Sequence, residues 1–208
     1  MVANHKLISE IARISPQRPF AQTAAQRRME DREEKAMVQK TYQSGESYHY
    51  PLIIKKLLNT PLIYSPDREI VYDDKNRYTY RTLNERINRL ANGLNTLGVT
   101  TGDIVAVFDY DSHRYLECFF AIPMMGVVLQ TINWRLSSDQ ILYTLNHAEA
   151  KVIIFHAEFL PILENIRERL ETVKKFVVIE ADDDVAVHSL NGDAAYEQLL
   201  QSGSTEYE

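Results

Sequence analysis

The second half of the chain alternates short apolar runs with longer amphipathic stretches. The runs at 104–108, 127–132, 151–155 and 176–180 are mostly apolar and nearly continuous, which is typical of strands buried on both faces. The stretches predicted as helices lie at 112–125, 137–146, 157–170 and 193–201. Strands and helices that alternate in this way predict an α/β fold, with a mostly parallel, doubly wound sheet and helices on both faces.

The segment before this region adds local elements. The pattern predicts a helix whose apolar face carries Leu52, Ile53, Leu57 and Leu58, then a β-hairpin at 69–80, then an amphipathic helix from Thr82 to Leu97 that Gly98 ends. Two helix starts carry capping residues. Asp111 or Ser112 precedes one, and Ser137 with Gln140 three residues later forms a capping-box pattern at the other.

Residues 1–48 have a different composition from the rest. They are rich in Ala, Glu, Lys, Arg and Gln and contain few large apolar residues, so they offer little surface to bury. We therefore expect a polar extension over 1–48, partly helical or disordered, and an α/β domain over 49–208. The extension is either a plain tail or a docking or oligomerisation arm.

Composition narrows the possible functions. The 208 residues are 45% hydrophobic and carry a net charge of -6, which argues against a nucleic-acid-binding protein. A single cysteine, Cys118, excludes an intramolecular disulfide and favours a reducing, cytoplasmic setting. The most apolar run, at 116–132, is broken by a glutamate, a proline and a glycine, so no transmembrane segment is expected.

Familiar catalytic motifs are missing from these 208 residues. The seven glycines form neither GxGxxG nor GxxxxGK[ST], and the sequence contains no GxSxG, HExxH or CxxC. We therefore assign no catalytic, cofactor-binding or metal-binding residue.

One polar cluster stands out as a possible pocket edge. Asn133, Trp134 and Arg135 follow a predicted buried strand, so they belong at the carboxyl edge of the sheet, where α/β proteins bind ligands. An aromatic ring beside a guanidinium suits an adenine or an acyl group. Alternatively, Asn133 closes a turn and Arg135 makes a structural ion pair. His113, at a helix start on the same edge, is a further candidate, although a helix-start or surface role also explains it.

An ordered set of segments resembles the adenylate-forming superfamily, and specifically the long- and medium-chain fatty acyl-CoA synthetases. The set consists of TYRTL at 79–83, LGV at 97–99, GD at 102–103, FAIP at 120–123, GVVL at 126–129, NWRL at 133–136 and LNHAE at 145–149. The resemblance covers about residues 50–200.

This resemblance implies a reaction and its cofactors. Such enzymes use ATP and Mg²⁺ to convert a fatty acid to an acyl-adenylate, and CoA then gives the thioester. The family's phosphate-binding loop lies just after a helix like 196–200, and this sequence stops at Glu208. We therefore expect the N-terminal part of a synthetase, truncated before that loop, inactive alone and binding no cofactor by itself.

The resemblance also implies a partner for the missing part. That partner is the remainder of the synthetase or a separately encoded chain that completes a split enzyme. The alternative is a non-catalytic interaction or dimerisation module, which would form a homodimer.

Overall fold

A computed structural model describes residues 53–179 and 193–207 of the chain. The extension predicted at 1–48 lies outside the described residues, so it stays a prediction.

Seven strands and six α-helices are described. The strands are β1 (Glu69–Tyr72), β2 (Asn76–Thr79), β3 (Ile104–Phe108), β4 (Val128–Thr131), β5 (Val152–His156), β6 (Lys175–Ile179) and β7 (Ala194–Ala195). The helices are α1 (Asn59–Tyr64), α2 (Tyr80–Thr96), α3 (His113–Met124), α4 (Ser138–Ala148), α5 (Leu160–Ile166) and α6 (Tyr196–Ser202). Short 3-10 turns lie at Ile54–Leu58, Ala157–Phe159 and Arg167–Arg169.

Five strands form one parallel sheet in the order β4-β3-β5-β6-β7. The chain runs from β3 outward to β4, then crosses back over β3 to β5. This crossing places the topological switch point between β3 and β5, and it makes the sheet doubly wound, as the sequence predicts. β1 and β2 form a separate antiparallel hairpin, also as predicted.

Alternation along each strand divides the core between the two faces of the sheet. Val105 and Val107 of β3 pack with α2, α3 and α6 on one face. Ala106 and Phe108 pack with α4 and α5 on the other. All four side chains are fully buried, which explains why the strand is continuously apolar.

The predicted caps are present. Ser112 accepts a hydrogen bond from the Tyr115 amide and begins α3. Ser137 and Gln140 form the complete capping box of α4. Gly126 ends α3 with φ +71°, and a Cβ there would lie 2.8 Å from the Thr101 methyl carbon, so the turn requires glycine on two grounds.

Three predicted elements differ from the structure. Residues 54–58 form a 3-10 turn rather than the start of a buried helix, and of Ile53, Leu57 and Leu58 only Leu58 is buried. Leu52 lies outside the described residues. The helix predicted at 157–170 is divided into two 3-10 turns and α5. The helix predicted at 193–201 begins only at Tyr196, because residues 194–195 pair with β6 as a fifth strand.

Candidate functional site at the carboxyl edge of the sheet

The loop after β4 presents the predicted cluster of Asn133, Trp134 and Arg135. Asn133 closes the turn, since its Oδ1 accepts the Arg135 amide at 3.0 Å. The Arg135 guanidinium lies over the Trp134 ring, 4.8 Å from its centroid, a cation–π contact. All three residues are exposed. Within residues 53–179 and 193–207, Arg135 forms no salt bridge, so the structural ion pair considered from the sequence is not found there.

Tyr110 connects this loop to the switch point. It follows β3, and its ring centroid lies 5.5 Å from that of Trp134 and 5.6 Å from that of His156, which ends β5. Phe159 packs beneath, with its ring centroid 4.9 Å from that of Tyr110. The ends of β4, β3 and β5 therefore contribute to one aromatic cluster, made of Trp134, Tyr110, His156 and Phe159.

Glu158 fixes the two polar members of this cluster. The Tyr110 hydroxyl donates to Glu158 Oε2 at 3.0 Å, and the Glu158 amide donates to His156 Nδ1 at 3.3 Å. Two effects raise the pKa of Tyr110: partial burial, which is the larger, and the hydrogen bond to Glu158. The phenol therefore stays protonated at neutral pH, and Tyr110 offers a ring face and a hydroxyl rather than a charge.

Asp109 is a buried carboxyl beside the cluster. Its residue is 3% exposed, and its Oδ2 accepts the Ser112 hydroxyl at 2.5 Å. Among the described residues, its Oδ1 has no hydrogen-bond partner. Burial raises the pKa of Asp109, against the hydrogen bonds from Ser112 and the Tyr110 amide.

His113 is placed apart from residues 133–135. It is the first residue of α3 and is 8% exposed. Its ring packs against Tyr72 and Tyr78 of the hairpin, with centroid separations of 5.3 and 6.0 Å. These contacts favour a packing role at the helix start. The structure thus brings Asn133, Trp134 and Arg135 together and gives His113 a different aromatic environment.

A charged cluster, separate from the aromatic cluster, joins α2, α3 and α6. Arg86 of α2 donates to Glu117 of α3 at 2.7 and 3.2 Å, and to Glu197 of α6 at 3.0 and 2.9 Å. Arg114 also donates to Glu197 at 2.9 Å, and the Tyr196 hydroxyl donates to Glu117 at 2.8 Å. Each of these charges has a partner of opposite sign, so we interpret the cluster as structural.

Sequence reasoning missed Tyr110, His156 and Glu158. A signal was present, because each lies within three residues of the end of a predicted parallel strand, the position that meets Trp134 at the same edge. The cluster of Arg86, Glu117 and Glu197 had no such signal, since its members are 31 and 111 residues apart.

Comparisons with known proteins now identify the family. The model of the AMP-binding enzyme family matches residues 64–205. The chain belongs to the AMP-binding enzyme family. A long-chain-fatty-acid–CoA ligase from Thermus thermophilus is 45% identical over 124 residues, covering 60% of this chain and 22% of that ligase. A medium-chain-fatty-acid–CoA ligase from Ectopseudomonas oleovorans is 33% identical over 167 residues, covering 78% and 31%.

A solved structure agrees with these relatives. An anthranilate CoA ligase in complex with anthranoyl-AMP superposes with a TM-score of 0.66 and 26% identity, covering 76% of this chain and 29% of that one. The resemblance to acyl-CoA synthetases inferred from the sequence is thereby confirmed. The chain spans 22 to 31% of the length of the two fatty-acid–CoA ligases.

The family implies ATP, Mg²⁺ and CoA, and the side chains at the carboxyl edge do not provide a site for each of these cofactors. In the described ranges, no three His, Cys, Asp or Glu side chains come together as a metal site, and the 208 residues contain no glycine-rich phosphate loop. We therefore derive no step through ATP or Mg²⁺. The aromatic cluster with Arg135 does suit a flat, negatively charged ligand such as a nucleotide. No helix in the described part of the chain is long and apolar enough to cross a membrane.

Proposed function

We propose that this chain is the N-terminal α/β part of an ATP-dependent fatty acid–CoA ligase, and that it does not form acyl-adenylate by itself. The observation that carries the proposal is the family match over 64–205, together with a five-stranded doubly wound sheet. Adenylate formation depends on charged groups that stabilise the transferring phosphoryl oxygens. The carboxyl edge of this sheet offers Arg135 and no phosphate loop.

The role that we propose for the carboxyl edge is to line one side of a substrate pocket. Trp134 is 40% exposed, so a ring face is accessible to a ligand. An aromatic face held next to a guanidinium favours the adenine end of a nucleotide over an aliphatic acyl chain, because it offers both stacking and positive charge. Asn133 fixes the turn that presents these two side chains.

Activity of the isolated chain is the first test. The purified 208-residue chain is incubated with ATP, Mg²⁺, a fatty acid and CoA, and pyrophosphate release is measured. We expect no release above background. Acyl-AMP formed by the purified chain in the absence of any other protein would contradict the proposal, because it would show that the chain forms acyl-adenylate by itself.

A chimera tests the positive half of the proposal. The 124-residue stretch that aligns with the Thermus thermophilus ligase replaces the matching stretch of that enzyme, and acyl-CoA formation is assayed. We expect the chimera to make acyl-CoA. A chimera that folds, as judged by circular dichroism, and yet makes none would contradict the proposal.

The pocket edge is tested in the same chimera with Trp134→Ala. Stacking of a base on an aromatic ring contributes about 1–3 kcal/mol, so the KM for one adenine-bearing substrate, ATP or CoA, should rise about tenfold while the KM for the fatty acid stays constant. Tyr143→Ala is the matched control, since Tyr143 is also an exposed aromatic residue but stacks on His147 of α4. Equal effects of the two substitutions would refute the assignment.

One observation favours a second function, a dimerisation module. Four apolar side chains near the start of the described region, Ile53, Leu57, Ile63 and Tyr64, are between 52 and 80% exposed, and such a group is typical of interaction surfaces. Light scattering of the chain across a range of concentrations tests this function. Dimers that Leu57→Asp abolishes would support it, and a monomer at every concentration would exclude it.

A further inference from the structure

Side chains of α2 hold the segment that follows α6. Asn88 Nδ2 donates to the Thr205 carbonyl at 2.8 Å, and Asn92 Nδ2 donates to the carbonyls of Ser204 and Glu206 at 3.2 and 2.9 Å. Arg89 Nη1 donates to the Gly203 carbonyl at 3.0 Å. Every backbone carbonyl from residue 203 to residue 206 is therefore bound by a side chain of α2. We call residues 203–207 the strap.

The asparagines of α2 are spaced to form this seat. Asn88, Asn92 and Asn95 recur at intervals of four and three, which puts them on one face of the helix. Asn95 Nδ2 reaches the Tyr207 hydroxyl at 3.4 Å at the far end of the strap. Apart from this last contact, the donors bind main-chain carbonyls, so the seat recognises the backbone of the strap rather than particular side chains.

Gly203 allows the strap to lie directly on α2. It is buried, and a Cβ at this position would lie 2.3 Å from the backbone oxygen of Arg89. Its φ of -87° and ψ of 150° suit any residue. Space alone, and not backbone conformation, therefore demands glycine at this point.

Apolar burial contributes little to the strap. Ser204, Thr205 and Glu206 are exposed, and only Tyr207 packs partly against the core. The net gain from one hydrogen bond is comparable to the entropic cost of ordering one residue. A segment held almost entirely by such bonds opens far more easily than the apolar sheet.

We propose that the asparagine face of α2 is a latch for the strap, which holds residues 203–207 in one direction and opens without unfolding the sheet. The latch sets the path of the backbone beyond α6. Its use, to orient the polypeptide that follows in the full ligase, rests on the proposed function. The latch itself does not, because it is defined by contacts within residues 88–207.

Amide hydrogen exchange on the 208-residue chain tests the latch. Two strap amides report on it, those of Gly203 and Glu206, which donate to the Leu200 carbonyl and to Ser204 Oγ. Asn92→Asp keeps the size of the side chain but cannot donate. The variant should speed exchange of both amides about thirtyfold, as expected for two lost hydrogen bonds, while amides of β5 keep their wild-type rates.

Asn84→Asp is the matched control. Asn84 lies on the same helix and is half-buried, and it makes no hydrogen bond to the strap, so the substitution adds the same charge without touching the latch. Exchange in the strap should stay at the wild-type rate. Asn92→Gln, which retains an amide, should restore part of the protection that Asn92→Asp removes.

Gly203→Ala opens the latch by a different route, since its methyl group collides with the α2 backbone. It should accelerate the strap amides at least as much as Asn92→Asp does. Two results would overturn the proposal. One is strap exchange within threefold of wild type in both variants. The other is wild-type strap amides that exchange at the rate of β5 amides, since the strap would then open only when the whole domain unfolds. Neither result depends on ligase activity.

Discussion

The buried ion pair between Arg86 and Glu117 provides the sharpest test of how the helical layer is held together. Glu117 is fully buried and accepts two hydrogen bonds from Arg86 and one from Tyr196. Burial acts to lower the pKa of Arg86, but hydrogen bonds to Glu197 and Glu117 outweigh it and raise the pKa. The guanidinium is therefore a permanent charge, and the loss of Glu117 would leave it with Glu197 alone.

We predict that Glu117→Gln lowers the free energy of unfolding by about 3 kcal/mol. Removal of one partner from a buried ion pair typically costs about 3–5 kcal/mol. The lower end applies here, because Arg86 keeps Glu197 and its own side chain is 22% exposed. Urea unfolding followed by far-UV circular dichroism measures the loss. With an m-value of about 2 kcal/mol/M, the midpoint should fall by about 1.5 M.

Two further variants separate charge from packing. Glu197→Gln should cost only about 1 kcal/mol, because that side chain is 37% exposed and solvent screens its charge. The double variant Arg86→Met/Glu117→Leu removes both charges and should recover most of the loss, since paired removal avoids an uncompensated buried charge. The reasoning is refuted if Glu117→Gln stays within 1 kcal/mol of wild type, or if the double variant is less stable than Glu117→Gln.

Three other predictions follow from individual side chains. Burial raises the folded-state pKa of Asp109, so the stability that protonated Asp109 contributes is complete below the unfolded pKa and is lost as pH rises through the folded pKa. Asp109→Asn should therefore raise the free energy of unfolding by about 1 kcal/mol at pH 7 and leave it unchanged near pH 3. Urea unfolding at both pH values measures this difference. For Glu197, burial acts to raise the pKa, but hydrogen bonds from Arg86 and Arg114 outweigh it and lower the pKa. The stability that ionised Glu197 contributes is present above the unfolded pKa of about 4.3 and is lost as pH falls through the folded pKa. Glu197→Gln should therefore reduce the loss of unfolding free energy at acid pH, and an unchanged loss would contradict this reasoning. Gly126→Ala should lower the free energy of unfolding by more than about 2 kcal/mol, because its φ is positive and its Cβ would collide with Thr101. Gly98→Ala should lower it by only about 1 kcal/mol in the same assay, because Gly98 also has a positive φ, +82°, but has open space around its Cβ. Equal losses would show that the contact with Thr101 is unimportant.

The sequence predicts best those features that depend on neighbours along the chain. The capping box of Ser137 and Gln140 is a contact between residues three apart, and its side chains identify it without any knowledge of the fold. The buried strands were equally predictable, since continuous apolar runs reflect burial on both faces. By contrast, β7 has two residues, and pairing with β6 rather than any local pattern makes them a strand.

Glu117 shows why the rest could not be predicted. Read along the chain, it is an acidic residue that interrupts an apolar run. Folding places Arg86 and Tyr196 around it, from 31 and 79 residues away. An acid on the apolar face of a helix indicates a buried partner of opposite charge, but only the packing of α2 and α6 against α3 says which one. The aromatic cluster is different in this respect. Its members each follow a predicted parallel strand, and this position places them at the carboxyl edge even though hydrophobic periodicity does not identify them.

The two edges of the sheet are built differently, and this difference favours the carboxyl edge as the functional one. At the amino edge, Lys151 Nζ donates to Asp103 at 2.7 Å and to the Gly98 carbonyl at 2.9 Å, and Thr101 Oγ1 donates to the Met125 carbonyl at 3.0 Å. These bonds join the loop before β3 to the loops that precede β4 and β5. At the carboxyl edge, Trp134 and Arg135 contact mainly aromatic surface and remain exposed. Hydrogen-bonded connections at the amino edge and exposed side chains at the carboxyl edge fit the proposed pocket, since parallel sheets bind ligands at the carboxyl ends of their strands. For this reason, substitutions at the two edges should separate stability from binding.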